Sequence, residues 1–118
     1  MPILTTPSCC TPMVAEALSE TDAVDLARGF KALSDPARLR LLSLIAARAG
    51  QEVCVCELTD TFALTTPTIS HHLRVLREAG LVTAERRASW VYYRIVPSAL
   101  AALSRLLDAS TLIATVEA

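Results

Sequence analysis

The chain has 118 residues, 53% of them hydrophobic, and its 11 basic and 12 acidic side chains nearly cancel, so length and composition fit one domain with a core. No run approaches the roughly 18 apolar residues of a membrane span, and no basic residue precedes Arg28 as a signal peptide would require. These features exclude a membrane protein and lead us to expect a cytoplasmic one.

The first 18 residues contain three prolines and show no steady hydrophobic period. Such a stretch is typical of a flexible arm, and it carries the adjacent pair Cys9 and Cys10. We therefore divide the chain into an arm, 1–18, and a folded domain, 19–118. Cysteines stay reduced in the cytosol, which favours thiols or metal ligands over a disulfide framework.

Two helices are predicted at the start of the domain. Ser19 begins a capping-box-like sequence, and apolar residues then recur at helical spacing to predict a helix over 20–33. In the second helix Asp35 acts as the cap, Pro36 occupies the first position and Gly50 ends the run. The residues expected to face inward from it are Leu39, Leu42 and Ile45.

A short third helix is predicted from Val55 or Cys56 to Phe62, and a fourth follows almost at once. Thr66 is the expected cap of the fourth helix, with Pro67 in its first turn and Gly80 as its left-handed C-terminal stop. Two helices separated by three or four residues form a helix-turn-helix.

Aromatic and β-branched residues on both sides of 87–89 predict a two-stranded hairpin. The last segment, about 98 to 117, is expected to be a helix that aligns Leu103, Leu106, Leu107 and Ile113. A hairpin and an apolar terminal helix both need something to pack on. The first and last helices are natural candidates for a dimer interface, although either could equally cover its own domain.

The fourth helix has a face suited to DNA. Ile69, Leu73 and Leu76 define its buried stripe, so polar side chains on the other side project outward. These outward residues, which can bond to phosphates or base edges, are Thr68, Ser70, His71 and Arg74. His72 lies beside the stripe and is expected to be partly buried, with a hydrogen bond to backbone. Shared metal binding by His71 and His72 is disfavoured, because adjacent helical residues diverge.

The hairpin next to this helix has Arg86 and Arg87 near its tip. Residues 74 to 94 contain five arginines and only two glutamates, although the whole chain has a net charge of −1. A basic β-wing beside a recognition helix can hold the neighbouring phosphate backbone. The alternative is a turn that is simply solvated.

Four stretches, "FKALSDPARLRLLSLI", "CVCELTD", "TTPTISHHLRVLREAGLV" and "RRASWVYYRI", resemble the ArsR/SmtB family of metalloregulatory repressors. The resemblance covers about residues 24 to 97. It implies a mainly α fold with a β-hairpin wing, a winged helix-turn-helix. It further implies a homodimer that binds a palindromic DNA operator, represses a resistance operon and releases it when an inducer binds. Thr66, a further candidate DNA contact, stands where many members have Gln, so the operator sequence does not carry over.

The same resemblance matches "EVCVCEL" to the family's metal box, with Cys54 and Cys56 in the ligand positions. A third cysteine of some arsenic-sensing members would align with Thr59, where it is missing. Cys9 and Cys10 of the arm can replace it, within one subunit or across the dimer, with Cys56 as an optional fourth ligand. Three thiolates suit As(III) or Sb(III), while Cd(II) and Pb(II) are the alternatives. No organic cofactor is expected.

Two sulfurs one residue apart would diverge within a regular helix, so they converge only if the first lies in an extended lead-in. Helix N-termini also favour the thiolate that binds metal. Other interpretations are a thiol-redox-responsive repressor and small buried cysteines with no ligand role. An enzyme is disfavoured, because the chain has no Cys-x-x-Cys and no cysteine with an arginine six residues on.

Overall fold

The computed structural model describes residues 12–61 and 64–110. The helices are α1 (Glu20–Leu33), α2 (Pro36–Ala47), α3 (Val55–Thr61), α4 (Thr66–Glu78) and α5 (Pro97–Leu106). The strands are β1 (Glu52–Cys54), β2 (Val82–Arg87) and β3 (Trp90–Ile95), and a 3-10 turn, Ala49–Gln51, precedes β1. The mainly α fold with a β-hairpin wing is confirmed. The longest described helix has 14 residues, fewer than the roughly 20 that a transmembrane helix needs.

Side-chain caps explain where the first helices begin. Ser19 Oγ accepts the Asp22 N–H at 3.1 Å, as the capping-box pattern predicts. Asp35 accepts the Ala37 and Arg38 N–H groups at 2.8 and 3.2 Å. These bonds, that from Arg38 above all, hold the pKa of the Asp35 carboxyl below its ordinary value of 3.8.

The cap of α4 differs from the prediction. Thr65, and not Thr66, has the extended backbone of a cap, and its hydroxyl accepts the Thr68 N–H at 3.4 Å. The hydroxyls of Thr65 and Thr68 also lie 2.9 Å apart. Two adjacent threonines offer the same side chain for this role, and Pro67 is accepted at the first or second position of a helix, so the sequence pattern does not separate them.

The end of α4 forms a Schellman motif. Leu81 N–H donates to Leu76 O at 3.0 Å and Gly80 N–H to Arg77 O at 2.9 Å, with Gly80 at φ +82°. Leu76 and Leu81 are both buried, which adds the apolar contact that accompanies this motif. Gly80 is therefore the left-handed stop that the sequence predicts.

Gly80→Ala should lower the free energy of unfolding by about 1 kcal/mol, because an L-residue is strained in left-handed backbone. Nothing lies within 4 Å of the added Cβ, so no clash enlarges the effect. Urea denaturation measures the change. Gly80→Asn is the matched control, and its free energy of unfolding should fall by less, since Asn tolerates this conformation. An alanine variant as stable as the wild type would contradict this explanation.

The sheet has three antiparallel strands in the order β1-β3-β2. Strands β2 and β3 form the predicted hairpin around Ala88 and Ser89. Strand β1 is an addition that the sequence pattern did not predict, and it pairs Glu52 with Arg94 and Cys54 with Tyr92. The metal-box sequence is thereby attached to the wing.

The core lies between the helices and the sheet. Its fully buried side chains are Leu41, Ile45, Leu58, Ile69, Leu73, Leu76, Leu81 and Val82. Two predicted inward residues are exposed instead, Leu39 by 50% and Leu107 by 55%. Leu41 takes the inward place expected of Leu39 on α2, and Leu107 lies beyond the end of α5.

Two predicted helix ends are also corrected. Helix α2 stops at Ala47, and Gly50 lies in the following 3-10 turn with φ +74°. Helix α5 stops at Leu106, and the predicted contact at Ile113 lies outside the described residues. At the other end of the chain, Met13 N–H donates to Leu106 O at 3.1 Å. The start of the described chain is therefore hydrogen-bonded to the end of α5.

Candidate DNA interface and sulfur site

The outward face of α4 is the first candidate site. The buried stripe of Ile69, Leu73 and Leu76, all 0% exposed, fixes which side of the helix faces the core. The predicted DNA-binding residues of α4 are all exposed, namely Thr66, Thr68, Ser70, His71 and Arg74. Within the described part of the chain, the guanidinium of Arg74 has no ion pair or hydrogen bond. This face offers exposed donors and acceptors, although the Thr68 hydroxyl also contacts that of Thr65.

His72 is partly buried, as predicted, but its partner differs from the expected backbone group. Its Nδ1 lies 3.2 Å from Arg38 Nη1, and Arg38 Nε donates to Ala32 O at 2.6 Å. A guanidinium only donates, so Nδ1 of His72 acts as the acceptor. Arg38 thus fastens α4 to the last turn of α1. The sequence did not point to this contact, because its partners are 34 residues apart.

A basic cavity of about 540 Å³ lies beside α4. Its lining includes Arg28 and Lys31 of α1 together with Arg38 and His71, against the single carboxylate of Glu78. Anionic groups are favoured in such a setting. Arg28 and Lys31 were missed at the sequence level, although their spacing places them on one face of α1.

The wing presents its two tip arginines differently. Arg86 is exposed on β2, whereas Arg87 donates to both carboxylate oxygens of Glu52, at 2.8 and 3.0 Å. Arg87 also donates to Glu85 at 2.8 Å and lies 4.5 Å above the ring of Tyr92. Hydrogen bonding to Glu52, and then to Glu85, raises the pKa of the Arg87 guanidinium. Of the two predicted wing contacts, only Arg86 has no ion pair with a carboxylate of the described residues.

The second candidate site is the sulfur pair of Cys54 and Cys56. Cys54 is the last residue of β1 and Cys56 the second of α3, so the first sulfur comes from an extended lead-in. The structure joins the two sulfur atoms as a disulfide pair, with Cα atoms 5.2 Å apart. Reduced thiols were expected from the sequence. The difference arises because the strand-to-helix junction turns both side chains to one side.

The junction also brings a backbone donor to the first sulfur. The Cys56 N–H points at Cys54 Sγ, 3.3 Å away. Cys54 is buried, 6% exposed, and Cys56 is partly buried. Once reduced, the pair can offer two soft donors to one ion from a shielded position.

Two donors do not complete a metal site. In residues 12–61 and 64–110, no group of three or more His, Cys, Asp or Glu side chains is placed to hold an ion. The predicted arm ligands Cys9 and Cys10 lie outside the described residues. Thr59, where a third family cysteine would stand, uses its hydroxyl to donate to Cys56 O at 3.1 Å.

Comparisons with known proteins relate this arrangement to transcription regulators. A family model described as "Bacterial regulatory protein, arsR family" matches residues 35–84. An uncharacterized HTH-type transcriptional regulator of Methanocaldococcus jannaschii is 40% identical over 79 residues, which cover 67% of this chain and 86% of the relative. The arsenic resistance transcriptional regulator ArsR1 of Pseudomonas putida is 53% identical over 68 residues. That match covers 58% of this chain and only about half, 52%, of the relative.

Among solved structures, the AntR antimony-specific transcriptional repressor superposes with a TM-score of 0.62 at 29% identity. The superposition covers 86% of this chain and 88% of that one. The two chains therefore share one fold over most of their lengths.

Proposed function

Since this chain belongs to the arsR family of bacterial regulatory proteins, we propose that it represses its target operon and releases DNA when a metalloid ion binds. Members of this family are DNA-binding transcription regulators and not enzymes. The proposed form is a homodimer on a palindromic operator. The proposed inducer is As(III) or Sb(III), with Cd(II) or Pb(II) as the alternative.

The observation that carries this proposal is the convergence of Cys54 and Cys56 at the start of the helix-turn-helix. Both sulfurs meet at the junction of β1 and α3, and α3 leads into α4. An ion held at this junction therefore lies one helix away from the proposed reading surface. Thiolates select soft ions, so hard ions such as Mg²⁺ are poor candidates.

Arsenite and antimonite prefer three thiolates. We assign these to Cys54 together with Cys9 and Cys10 of the arm, with Cys56 able to serve as a fourth or optional ligand. Names of relatives support this choice of ion, since they include an arsenic resistance regulator and an antimony-specific repressor.

DNA contact is assigned to the outward face of α4, with Arg86 from the wing. The exposed hydroxyl, imidazole and guanidinium groups of that face would meet base edges and phosphates. Arg28 and Lys31 beside the basic cavity extend the same surface to the neighbouring phosphate backbone. The net charge of −1 does not oppose this assignment, because the local distribution governs the contact.

Release follows if the ion binds the DNA-free dimer better than the DNA-bound dimer. The two affinities are then coupled by the same factor, typically about 5- to 150-fold. Clamping the arm onto Cys54 would displace α3 and thereby change the spacing of the two copies of α4.

Titration of an operator-bound dimer with As(III), Sb(III), Cd(II), Pb(II) and Zn(II) tests the proposal. The DNA is the labelled segment upstream of the gene, and fluorescence anisotropy reports release. A phosphine reductant keeps Cys54 and Cys56 reduced without chelating arsenite as a dithiol would. Release at the lowest concentrations by As(III) or Sb(III) is expected. Release by Zn(II) alone, or no DNA binding at low salt, would refute the proposal.

A thiol-redox repressor is the second candidate, favoured by the direct pairing of Cys54 and Cys56. Peroxide would take two electrons from the two thiols, giving a disulfide and two water molecules. Release by peroxide, reversed by the phosphine and accompanied by a loss of two hydrogens in the intact mass, would support it. Release by metalloid in fully reduced protein, with none by peroxide, would exclude it.

A further inference from the structure

Arg87 at the wing tip is directed toward the protein and not toward solvent. Its guanidinium makes a two-point contact with Glu52, a third bond to Glu85 and a stacking contact with Tyr92. A planar guanidinium that faces a carboxylate in this way uses two of its five N–H groups on one partner. A phosphate would have to displace this partner to gain the same geometry.

Glu52 is held in place from a second side. Its Oε1 accepts Arg94 Nη2 at 2.7 Å, and Arg94 is its cross-strand neighbour on β3. The Glu52 side chain is only 21% exposed, against 40% for Arg87 and 54% for Arg94. Arg87, assisted by Arg94, holds the pKa of the Glu52 carboxyl below its ordinary value of 4.5, so Glu52 stays charged at neutral pH. The acid is thus a fixed anion inside the wing.

Two of the three groups that hold Arg87, Glu52 and Tyr92, are tied to the strand with the sulfur. Glu52 begins β1 and Cys54 ends it, while Tyr92, beneath the guanidinium, is the register partner of Cys54. The position of the Arg87 guanidinium is therefore tied to β1 and β3 as well as to Glu85 on its own strand.

We propose that Glu52 is a positioning residue for DNA binding, which withholds Arg87 from the phosphate backbone and leaves Arg86 as the wing's phosphate contact. This inference rests on the proposed function for its operator complex. It predicts that an internal carboxylate, and not the number of arginines at the tip, limits how many phosphates the wing neutralises.

The salt dependence of operator affinity tests this directly. Each phosphate neutralised on B-DNA adds about 0.9 to the slope of log affinity against log salt concentration. Five proteins are compared with the wild type: Glu52→Gln, Arg87→Ala, the double variant of both, Glu52→Gln with Arg94→Ala, and Arg86→Ala. Glu57→Gln removes one charge from an exposed position on α3 without freeing an arginine, and serves as the control for net charge.

Glu52→Gln should steepen the slope by about 0.9 and strengthen binding at low salt. Arg87→Ala alone should have the wild-type slope. The Glu52/Arg87 double variant should have the wild-type slope as well. The Glu52/Arg94 double variant should stay steep, while Arg86→Ala should be shallower by about the same amount. Glu57→Gln should keep the wild-type slope. Thermal unfolding confirms that each variant is folded, and Glu52→Asp, too short for the two-point contact, replaces Glu52→Gln if that variant is not.

A shallower slope for Arg87→Ala alone would overturn the inference, since Arg87 would then already contact phosphate. An unchanged slope for Glu52→Gln, or steepening that depends on Arg94, would overturn it as well. Either result leaves specific operator binding intact, whereas failure of the wild type to bind the operator would count against the proposed function itself.

Discussion

Cys54→Ser is expected to abolish release of the operator by arsenite while leaving DNA affinity in its absence close to that of the wild type. Oxygen is a poor donor to a soft ion, so the variant loses one of the two converging donors. The serine hydroxyl has nearly the shape of the thiol and can accept the Cys56 N–H, which now points at Cys54 Sγ at 3.3 Å. The fold should therefore survive a substitution at this buried position.

The size of the effect follows from the coupling between the two sites. Loss of the ion removes a coupling of about 5- to 150-fold in operator affinity, so saturating arsenite should leave the variant on its DNA. Anisotropy of labelled operator measures this, with the phosphine reductant present throughout. Cys56→Ser is the matched control and should shift the midpoint less, because Cys56 is the optional ligand. Unchanged release by Cys54→Ser would exclude Cys54 from the sensor.

Arg74→Ala should weaken operator binding by about 1–3 kcal/mol, or roughly 5- to 150-fold, if Arg74 reads a base edge. Arg74 projects from α4 opposite the stripe of Ile69 and Leu73, and it has no ion pair within the described part of the chain. Its removal costs contact with DNA and leaves the core untouched.

The control for Arg74→Ala is Arg105→Ala, which removes the same charge from an exposed position on α5, outside the helix-turn-helix. Comparison of the natural operator with a scrambled DNA separates the two possible roles. A loss confined to the operator indicates base contact, and an equal loss on both DNAs indicates phosphate contact. If Arg74→Ala bound the operator as tightly as Arg105→Ala, α4 would not be the reading helix.

Local sequence chemistry predicted most of the helical framework. The caps at Ser19 and Asp35, the stop at Gly80 and the buried face of α4 all depend on residues within one or two helical turns of each other. The hairpin around Ala88 was equally predictable from sequence, since strands of six residues on either side of a short turn clearly show β-branched and aromatic residues.

The features that the sequence did not predict depend on partners far apart in the chain or on short elements. Strand β1 has three residues, too few to show an alternating pattern, and it exists because β3 pairs with it. The Arg87–Glu52 contact spans 35 positions, so Arg87 looked as available as Arg86. The helical period also could not tell Leu39 from Leu41, because apolar residues surround α2 on several sides.

The sulfur site was predictable in part. The requirement that Cys54 lie in an extended lead-in is met by the junction between β1 and α3. That Cys9 and Cys10 supply the remaining ligands of the site stays a prediction, because those residues lie outside the described part of the chain.

Arsenic-edge X-ray absorption of the reduced, arsenite-loaded protein tests the central claim, that sulfurs at the β1–α3 junction and on the arm capture the inducer together. About three sulfur neighbours and no oxygen are predicted for the wild type, one sulfur fewer for Cys54→Ser, and at least one fewer for the variant lacking both Cys9 and Cys10. An arsenic shell dominated by oxygen, or a sulfur count that Cys54→Ser leaves unchanged, would contradict the account.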